Sequence, residues 1–314
     1  MSGVTGSPFR RLIKALNPGA VGLVVSEFVS AEAMTRGVER TLQMMRFRPE
    51  ERPVAIQIFG YNIERMRDAA LLVQESGADI VDINCGCPAP KIVRKGGGAE
   101  LMRQPLHLAA MLKAVRQAVA IPVTVKIRSG YDASSINAVQ IAKLAEEQGV
   151  DAISIHARTR AQMYGGNVDW ELTRQVARAV SIPVFGSGDI VDRPSAEAAM
   201  GGSGAKASVL AGLYIGRGAL QNPLLFSEIA EGRDAGLSCN EGLVLSILAR
   251  YVGLLVEEDL PPKAAVGRMK QLAARVGRGY PWRKLFCNAK SFAEQRRILE
   301  ELHSDPQKWR QNHA

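Results

Sequence analysis

The sequence lacks most features of a secreted, membrane-bound or disulfide-stabilised protein. Its 314 residues contain only four cysteines, at positions 85, 87, 239 and 287, and their spacing does not suggest a disulfide framework. No run approaches the ~20 apolar residues of a membrane-spanning helix. No basic and apolar leader opens the chain. We therefore expect a cytoplasmic protein with no membrane partner.

Acidic residues are scarce in one part of the chain. The whole sequence has 40 Lys and Arg against 31 Asp and Glu, a net charge of +9. Between Pro261 and Arg297, ten Lys and Arg accompany a single acid, Glu294, so this segment alone carries as much excess charge as the whole chain. The clustering favours a polyanionic partner over a merely solvated basic surface.

Four aromatic residues lie within the same basic segment. In a nucleic-acid-binding protein such residues can stack on unpaired bases. The alternative, which we favour, is that they form the core of a small helical bundle. The four are Tyr280, Trp282, Phe286 and Phe292.

Apolar β-rich runs alternate with amphipathic helical patterns over the first 230 residues or so. The predicted strands are residues 22–27, 54–60, 78–84, 123–128, 152–158, 182–188 and 210–216. The predicted helices between them are residues 63–76, 105–119, 136–148, 170–180 and 192–200. This alternation is typical of parallel pairing through crossovers and predicts a (β/α)₈ TIM-type barrel.

The pattern contains seven strands, whereas a closed barrel of this type has eight. A helical pattern precedes the first predicted strand, so we expect the missing strand to lie upstream of Met1 or to have been lost. The Gly- and Ser-rich residues 200–209 are longer than a tight connection requires and predict a flexible insertion. After residue 232 only helical spacing remains. We therefore predict a barrel domain over 1–232 and an all-helical, basic domain over 238–314.

The segment after the strand at 78–84 indicates a reactive site. Cys87 follows Gly86 and precedes Pro88 at the carboxyl end of this strand, where parallel α/β folds carry their reactive groups. An exposed thiol of adjustable pKa is one interpretation, and a structural cysteine is the other. Zinc binding is disfavoured because Cys85 and Cys87 have no second pair at ligand spacing. We expect no metal.

Three polar residues at strand positions are further candidates. Lys126 is costly inside a barrel strand unless it pairs with a charge, so it either forms a buried ion pair or faces an electron-rich ring or a phosphate. His156 ends the next strand, where a functional role is favoured over a structural one. Gln57 is either a satisfied core amide or a ligand contact.

Two Gly-rich turns follow the last two predicted strands. They read "FGSGDI" at 185–190 and "YIGRGAL" at 214–220. Barrels commonly bind phosphate at these two positions through backbone amides and a helix N-terminus. The pair predicts a phosphate site to which Arg217 adds a charged donor.

Two blocks resemble the signatures of the bacterial-type tRNA-dihydrouridine synthases, a family of flavoenzymes. These blocks are "NCGCPAPKIVRKGGGAELMRQP" at 84–105 and "HARTRAQMYGG" at 156–166. The resemblance implies FMN as cofactor, NADPH as its reductant and tRNA as partner. We also expect a monomer. Cys87 would be the catalytic proton donor. Cofactor contacts would come from Gln57, Lys126, His156, Gly188, Asp189, Gly216 and Arg217. Substrate contacts would come from Asn84, Lys91, Arg94, Lys95, Arg158 and Arg160.

The resemblance implies that uridine in tRNA is reduced to 5,6-dihydrouridine. NADPH would reduce FMN, the reduced flavin would transfer a hydride to C6 of a flipped-out uridine, and Cys87 would protonate C5. Two alternatives stay open. One is an FMN barrel acting on a small molecule of the dihydroorotate or enoate type, which the basic segment disfavours. The other is a truncated, non-catalytic RNA-binding relic.

Overall fold

Two compact units make up the protein. The computed structural model describes residues 3–201, 208–232, 237, 240–258 and 260–304. An α/β unit contains Gly22–Ile190 and Pro194–Gly216. A helical unit contains Gly3–Val21, Val191–Arg193 and the chain from Arg217 onward.

A parallel sheet forms the centre of the α/β unit. Its strands are β1 (Val24–Val25), β2 (Val29–Ser30), β3 (Val54–Phe59), β4 (Ile80–Asn84), β5 (Val123–Arg128), β6 (Ala152–His156), β7 (Val184–Ser187) and β8 (Gly212–Tyr214). The sheet order is β1-β3-β4-β5-β6-β7-β8, and β2 also pairs with β3. All the strand pairs are parallel. Within the described residues, no ladder joins β8 to β1.

Helices connect these strands and form the second unit. They are α1 (Ser7–Leu16), α2 (Ala31–Thr35), α3 (Glu39–Gln43), α4 (Ile63–Glu75), α5 (Pro90–Val93), α6 (Pro105–Ala118), α7 (Ala138–Glu147), α8 (Trp170–Ala179), α9 (Arg193–Met200), α10 (Arg217–Gln221), α11 (Leu225–Glu231), α12 (Glu241–Glu257), α13 (Pro262–Val276), α14 (Trp282–Asn288) and α15 (Phe292–Ser304). The predicted α/β class and the helical region after it are confirmed.

Local sequence explains where these elements form. The central strands carry Val and Ile on both faces and are almost fully buried, as expected for parallel strands covered by helices. Side-chain caps start two of the helices that follow strands. The Asn62 carboxamide accepts the Arg65 N–H at the start of α4, and the Asp169 carboxylate accepts the Leu172 N–H at the start of α8.

The first predicted strand, residues 22–27, is reduced to the two residues of β1, and a second short strand, β2, follows beyond the predicted range. The Ser26 hydroxyl accepts the backbone N–H of Gln57 at 3.0 Å, where a regular ladder would use a carbonyl. This side-chain bond interrupts the pairing with β3, which resumes at Val29. The sequence pattern gave no sign of the break because a Ser in a strand has no fixed bonding partner.

Helix α1 belongs to the helical unit and not to the α/β unit whose strands follow it. The Phe9 ring packs edge-on against Tyr251 of α12, with centroids 6.4 Å apart. The buried Asn17 side chain donates to the Ile13 and Pro223 carbonyls and accepts the Ser227 N–H. Residues 3–21 and 217–232 therefore belong to the helical unit, whereas the sequence predicts a boundary between the domains at 232/238.

The aromatic residues of the basic segment are mainly core residues. Trp282 and Phe286 are fully buried, and Tyr280 stacks on Trp282 with ring centroids 5.7 Å apart. The Trp282 indole N–H donates to Glu241 at 3.0 Å. The favoured interpretation is confirmed for these residues. The insertion predicted at 200–209 falls mostly on 202–207, which lie outside the described residues.

Candidate active site

The candidate site lies at the carboxyl ends of strands β3 to β8. Strand register brings residues that are far apart in sequence into neighbouring positions. Asn84 is paired with Lys126 across β4 and β5. Farther along, Arg128 is paired with His156, and His156 with Ser187. Because register partners on parallel strands point to the same face, these polar side chains share one edge of the sheet.

A chain of hydrogen bonds leads from the interior of the sheet to Cys87. The Asp82 carboxylate accepts the Gln57 amide N–H at 2.6 Å and the Thr124 hydroxyl at 2.5 Å. The Gln57 carbonyl oxygen accepts from the Asn84 amide at 2.8 Å. The Asn84 carbonyl oxygen in turn accepts the backbone N–H of Cys87 at 2.8 Å. Asn84 and Gln57, both predicted site residues, are therefore brought together.

The two cysteines of this segment differ in exposure. Cys85 is completely buried, whereas Cys87 is half-buried. Burial raises the pKa of the Cys87 thiol, although a hydrogen bond from the Ala89 backbone and the charge of Arg128 act in the opposite direction. Cys87 is therefore a protonated thiol at neutral pH. This ionisation state suits a proton donor better than a nucleophile.

Gly98 allows the loop after Cys87 to fold back on it. Gly98 has a φ of +60°, and a Cβ placed there would lie 2.6 Å from the Cys87 carbonyl oxygen. The Ala99 N–H donates to the same oxygen at 3.1 Å. A side chain at position 98 would therefore displace the Cys87 backbone.

Lys126 is a cation held next to an aromatic ring. Its Nζ lies 4.6 Å from the centre of the Tyr214 ring. Loss of water lowers the pKa of Lys126 to about 8, although the nearby Asp82 carboxylate raises it. Tyr214 could not be singled out from the sequence, because a single Tyr in a short apolar strand gives no signal of its own.

Arg128 connects the Cys87 segment to the loop after β6. Its Nε donates to the Gly86 carbonyl at 2.7 Å, and its guanidinium also donates to the carbonyls of Thr159 and Met163, at 2.9 and 2.8 Å. Arg128 is 2% exposed. Arg128 lies two residues after Lys126, so both side chains are on the same face of β5. Its hydrogen bonds could not be predicted, because they join two loops that are far apart in the sequence.

His156 is held in its neutral form. Loss of water lowers its pKa to about 3, and the positive charges of Lys126, Arg128 and Arg158 act in the same direction. Gly188, with a φ of +129°, lies directly beside the imidazole. A Cβ placed there would be 2.9 Å from the His156 Cδ2 atom. The site therefore requires glycine at 188 for two independent reasons.

Arg158 fastens the loop after β6 to the turn after β7. Its guanidinium is 2% exposed and donates to the carbonyls of Gly165 and Gly166 and to the Asp189 carboxylate. Asp189 has a φ of +50°, an unusual conformation for a non-glycine residue. The substrate contact predicted for Arg158 would require these bonds to break.

The other predicted contacts occupy more open positions. Lys91, Arg94 and Lys95 are exposed on and just after α5. Arg160 is partly buried, with its guanidinium carbon 5.2 Å from the Tyr131 ring centre. The predicted phosphate residues Gly216 and Arg217 lie after β8 and at the start of α10. Their ligand contacts stay predictions.

The residues that the structure describes present neither a candidate metal centre nor a membrane-spanning helix. They contain no group of three or more His, Cys, Asp or Glu side chains arranged to hold a metal ion. Their helices include none with the length and apolar character needed to cross a membrane.

Comparison with known proteins identifies the family. Residues 1–299 match the family model described as dihydrouridine synthase (Dus), and the chain belongs to this family. A dihydrouridine synthase saturates a double bond of a uracil ring, so the protein is an oxidoreductase. The conclusion agrees with a strand-end site built around a protonated thiol.

Two curated relatives are similar over most of their length. The chain is 41% identical over 271 residues to tRNA-dihydrouridine synthase B of Vibrio parahaemolyticus, covering 84% of this chain and 82% of that protein. It is 42% identical over 231 residues to a probable tRNA-dihydrouridine synthase of Rhodobacter capsulatus, covering 73% and 69%. These similarities confirm the bacterial type inferred from the sequence blocks.

One solved structure shows the same fold. Histamine dehydrogenase from Rhizobium sp. 4-9 superposes with a TM-score of 0.51 at 13% sequence identity, covering 80% of this chain and 47% of that chain. At this identity the likeness concerns the fold alone.

Proposed function

We propose that this protein reduces uridine to 5,6-dihydrouridine in tRNA, with FMN as cofactor and NADPH as the source of electrons. The observation that carries the proposal is the half-buried Cys87 thiol at the carboxyl edge of the sheet, held through its backbone by Asn84 in surroundings that raise its pKa. The family and the names of its relatives supply the substrate class.

The reaction adds one hydride and one proton across the C5–C6 double bond of the base. When bound, FMN reduced by NADPH supplies the hydride for C6. Cys87 donates its thiol proton to C5, and the resulting thiolate regains a proton from water. Asn84 accepts the N–H and Arg128 donates to the carbonyl of the peptide group between Gly86 and Cys87, so the backbone that carries this thiol is held before the base arrives.

The polar side chains near Cys87 suit an isoalloxazine ring. Gln57 retains one amide N–H beyond the bond to Asp82, Lys126 offers a cation, and neutral His156 can offer a ring N–H. The acceptor-rich pyrimidine end of a flavin would match these donors. We assign these three residues to the flavin ring, and Gly188, Asp189, Gly216 and Arg217 to its phosphate.

Exposed cations provide the surface that tRNA requires. Lys91, Arg94 and Lys95 follow Cys87 directly and would meet RNA phosphates near the reacting base, with Arg160 as a further contact. In the helical unit, the basic segment 261–297 would supply sequence-independent phosphate contacts. The activity would take place in the cytoplasm, where tRNA is found.

The test is an assay of dihydrouridine formation. FMN-saturated protein is incubated with NADPH and an unmodified tRNA transcript. The dihydrouridine formed is measured by nucleoside mass spectrometry. We expect Cys87→Ala to slow uridine reduction roughly 10²- to 10⁴-fold, as the loss of a general acid does. The rate at which NADPH bleaches the bound flavin should change little.

Cys287→Ala serves as the control, because it removes a partly buried thiol of α14 in the helical unit. It should leave both rates unchanged. If the protein acts on free uracil or dihydroorotate but does not act on tRNA, the small-molecule alternative replaces the proposal. Absence of any turnover by FMN-loaded protein would favour the non-catalytic relic.

A further inference from the structure

Asp82 occupies the centre of a polar row inside the sheet. Register places Gln57, Asp82 and Thr124 side by side on β3, β4 and β5. Asp82 is 3% exposed, and both of its carboxylate oxygens accept hydrogen bonds from these neighbours. Neither the sequence motifs nor the proposed reaction gives this carboxylate a role.

The hydrogen-bond chain through Asp82 has only one consistent direction. A carboxylate accepts and cannot donate, so Gln57 must turn its N–H₂ toward Asp82 and its carbonyl oxygen toward Asn84. At the other end, the Cys87 backbone N–H can only donate, so Asn84 must turn its carbonyl oxygen toward Cys87. The two ends demand the same orientation of both amides.

We propose that Asp82 is a positioning residue that fixes the orientation of the Gln57 and Asn84 amides and thereby holds Cys87 in place. Its catalytic meaning rests on the proposed role of Cys87 as proton donor. Without the carboxylate, Gln57 has no acceptor-only partner and can rotate. Asn84 then loses the Gln57 carbonyl oxygen that accepts from its N–H₂ group, and its carboxamide holds the Cys87 and Gly86 N–H groups less firmly.

The carboxylate also has an electrostatic effect that the test must separate from hydrogen bonding. Its negative charge lies close enough to Lys126 to favour the ammonium form of that residue. Replacement of Asp82 by Asn removes this charge but keeps an acceptor for Gln57. The new N–H₂ group can donate to the Thr124 hydroxyl, which accepts as readily as it donates. Asp82→Asn therefore preserves the chain, whereas Asp82→Val abolishes it by placing a slightly smaller apolar side chain at this position.

The readout is the rate at which iodoacetamide alkylates Cys87 in FMN-saturated protein, followed peptide by peptide with mass spectrometry. Completely buried Cys85 provides an internal check that the protein stays folded. We expect Asp82→Val to speed alkylation of Cys87 about tenfold, the factor that corresponds to one net hydrogen bond. Asp82→Asn should stay within about twofold of the wild type, because it keeps the acceptor.

Two more variants make the result specific. Thr124→Val is the matched control, since it removes a bond to Asp82 but leaves the Asp82–Gln57 bond in place, and should also stay near the wild-type rate. Gln57→Leu cuts the chain one link nearer to Cys87 and should reproduce Asp82→Val, which keeps the proposal testable if Asp82→Val does not fold.

The proposal is overturned if folded Asp82→Val and Gln57→Leu alkylate at the wild-type rate. It is also overturned if Asp82→Asn reacts as fast as Asp82→Val, because charge would then be the cause. Alkylation requires no turnover. If the hydrogen-bond chain has no effect on Cys87 but the enzyme reduces tRNA, only the role of Asp82 is contradicted. If the chain holds Cys87 but the enzyme is inactive, only the proposed function is contradicted.

Discussion

Loss of water shifts the ionisation of three site residues toward their neutral forms. Burial lowers the pKa of Lys126 to about 8 and that of His156 to about 3, and it raises the pKa of Cys87. At neutral pH the site thus combines a cation, a neutral imidazole and a protonated thiol. The sequence could name these residues, but their ionisation depends on how completely neighbouring strands exclude water.

The low pKa of His156 makes stability depend on pH. Between about pH 6.5 and pH 3 the unfolded chain binds a proton at His156 that the folded protein does not bind. Acidification in this window therefore favours unfolding, by at most about 1.4 kcal/mol per pH unit. We expect the fall in Tm from pH 7 to pH 5 to be smaller for His156→Gln than for the wild type.

The control for this prediction is His303→Gln, on the exposed face of α15. The Tm of this variant should fall as much as that of the wild type between pH 7 and pH 5. If His156→Gln showed an undiminished loss, the imidazole would have to be accessible to protons in the folded state.

Among the elements, the periodic ones were predicted best. Helices α4 and α6 end within one residue of the predicted bounds, because their apolar spacing and flanking breaks are local properties. The break at Ser26 and the role of Arg128 could not be predicted. Both depend on which backbone groups a side chain meets after the sheet has formed.

The loop after β6 depends on one buried guanidinium. Arg158→Met would remove its bonds to Gly165, Gly166 and Asp189 and take the guanidinium donor away from the two glycine carbonyls. We expect amide hydrogen exchange to speed up about tenfold or more over residues 160–169. Exchange in the central strands should change little.

Arg174→Met is the matched control, because it breaks an ion pair with Glu171 on the surface of α8. Surface pairs of this kind stabilise by about 0–1 kcal/mol, so the loop should exchange as in the wild type. Equal protection in Arg158→Met would mean that the loop is held by other contacts.

At the scale of the whole molecule, the charge of the helical unit predicts strongly salt-dependent binding of tRNA. Arg278, Arg283 and Lys284 are exposed. If each contacts a phosphate, replacing all three by Gln should lower the slope of log K against log salt by about 2 to 3. Filter binding at several salt concentrations would measure it.

The same number of charges should be removed elsewhere as a control. Arg36, Arg40 and Arg46 lie around α3 in the α/β unit, and their replacement by Gln should leave the slope unchanged. A tRNA affinity that does not vary with salt in the wild-type protein would contradict a phosphate-binding role for the helical unit.

Asn17 makes the helical unit depend on α1. Its side chain bonds to Ile13, Pro223 and Ser227 while almost fully buried. We expect Asn17→Ala to destabilise the protein by about 2–3 kcal/mol, because buried partners lose their bonds. Asn288→Ala, at an exposed position, should have almost no effect. Urea unfolding followed by circular dichroism would compare the two.

The assignment of α1 to the helical unit has a consequence for synthesis of the protein. Helix α1 leaves the ribosome before the strands of the sheet, but its partner α12 follows only after all of these strands have been made. At ordinary elongation rates the apolar face with Phe9, Leu12 and Ile13 then waits on the order of tens of seconds without its final cover. During that interval the nascent chain is a natural client for a chaperone that shields apolar segments.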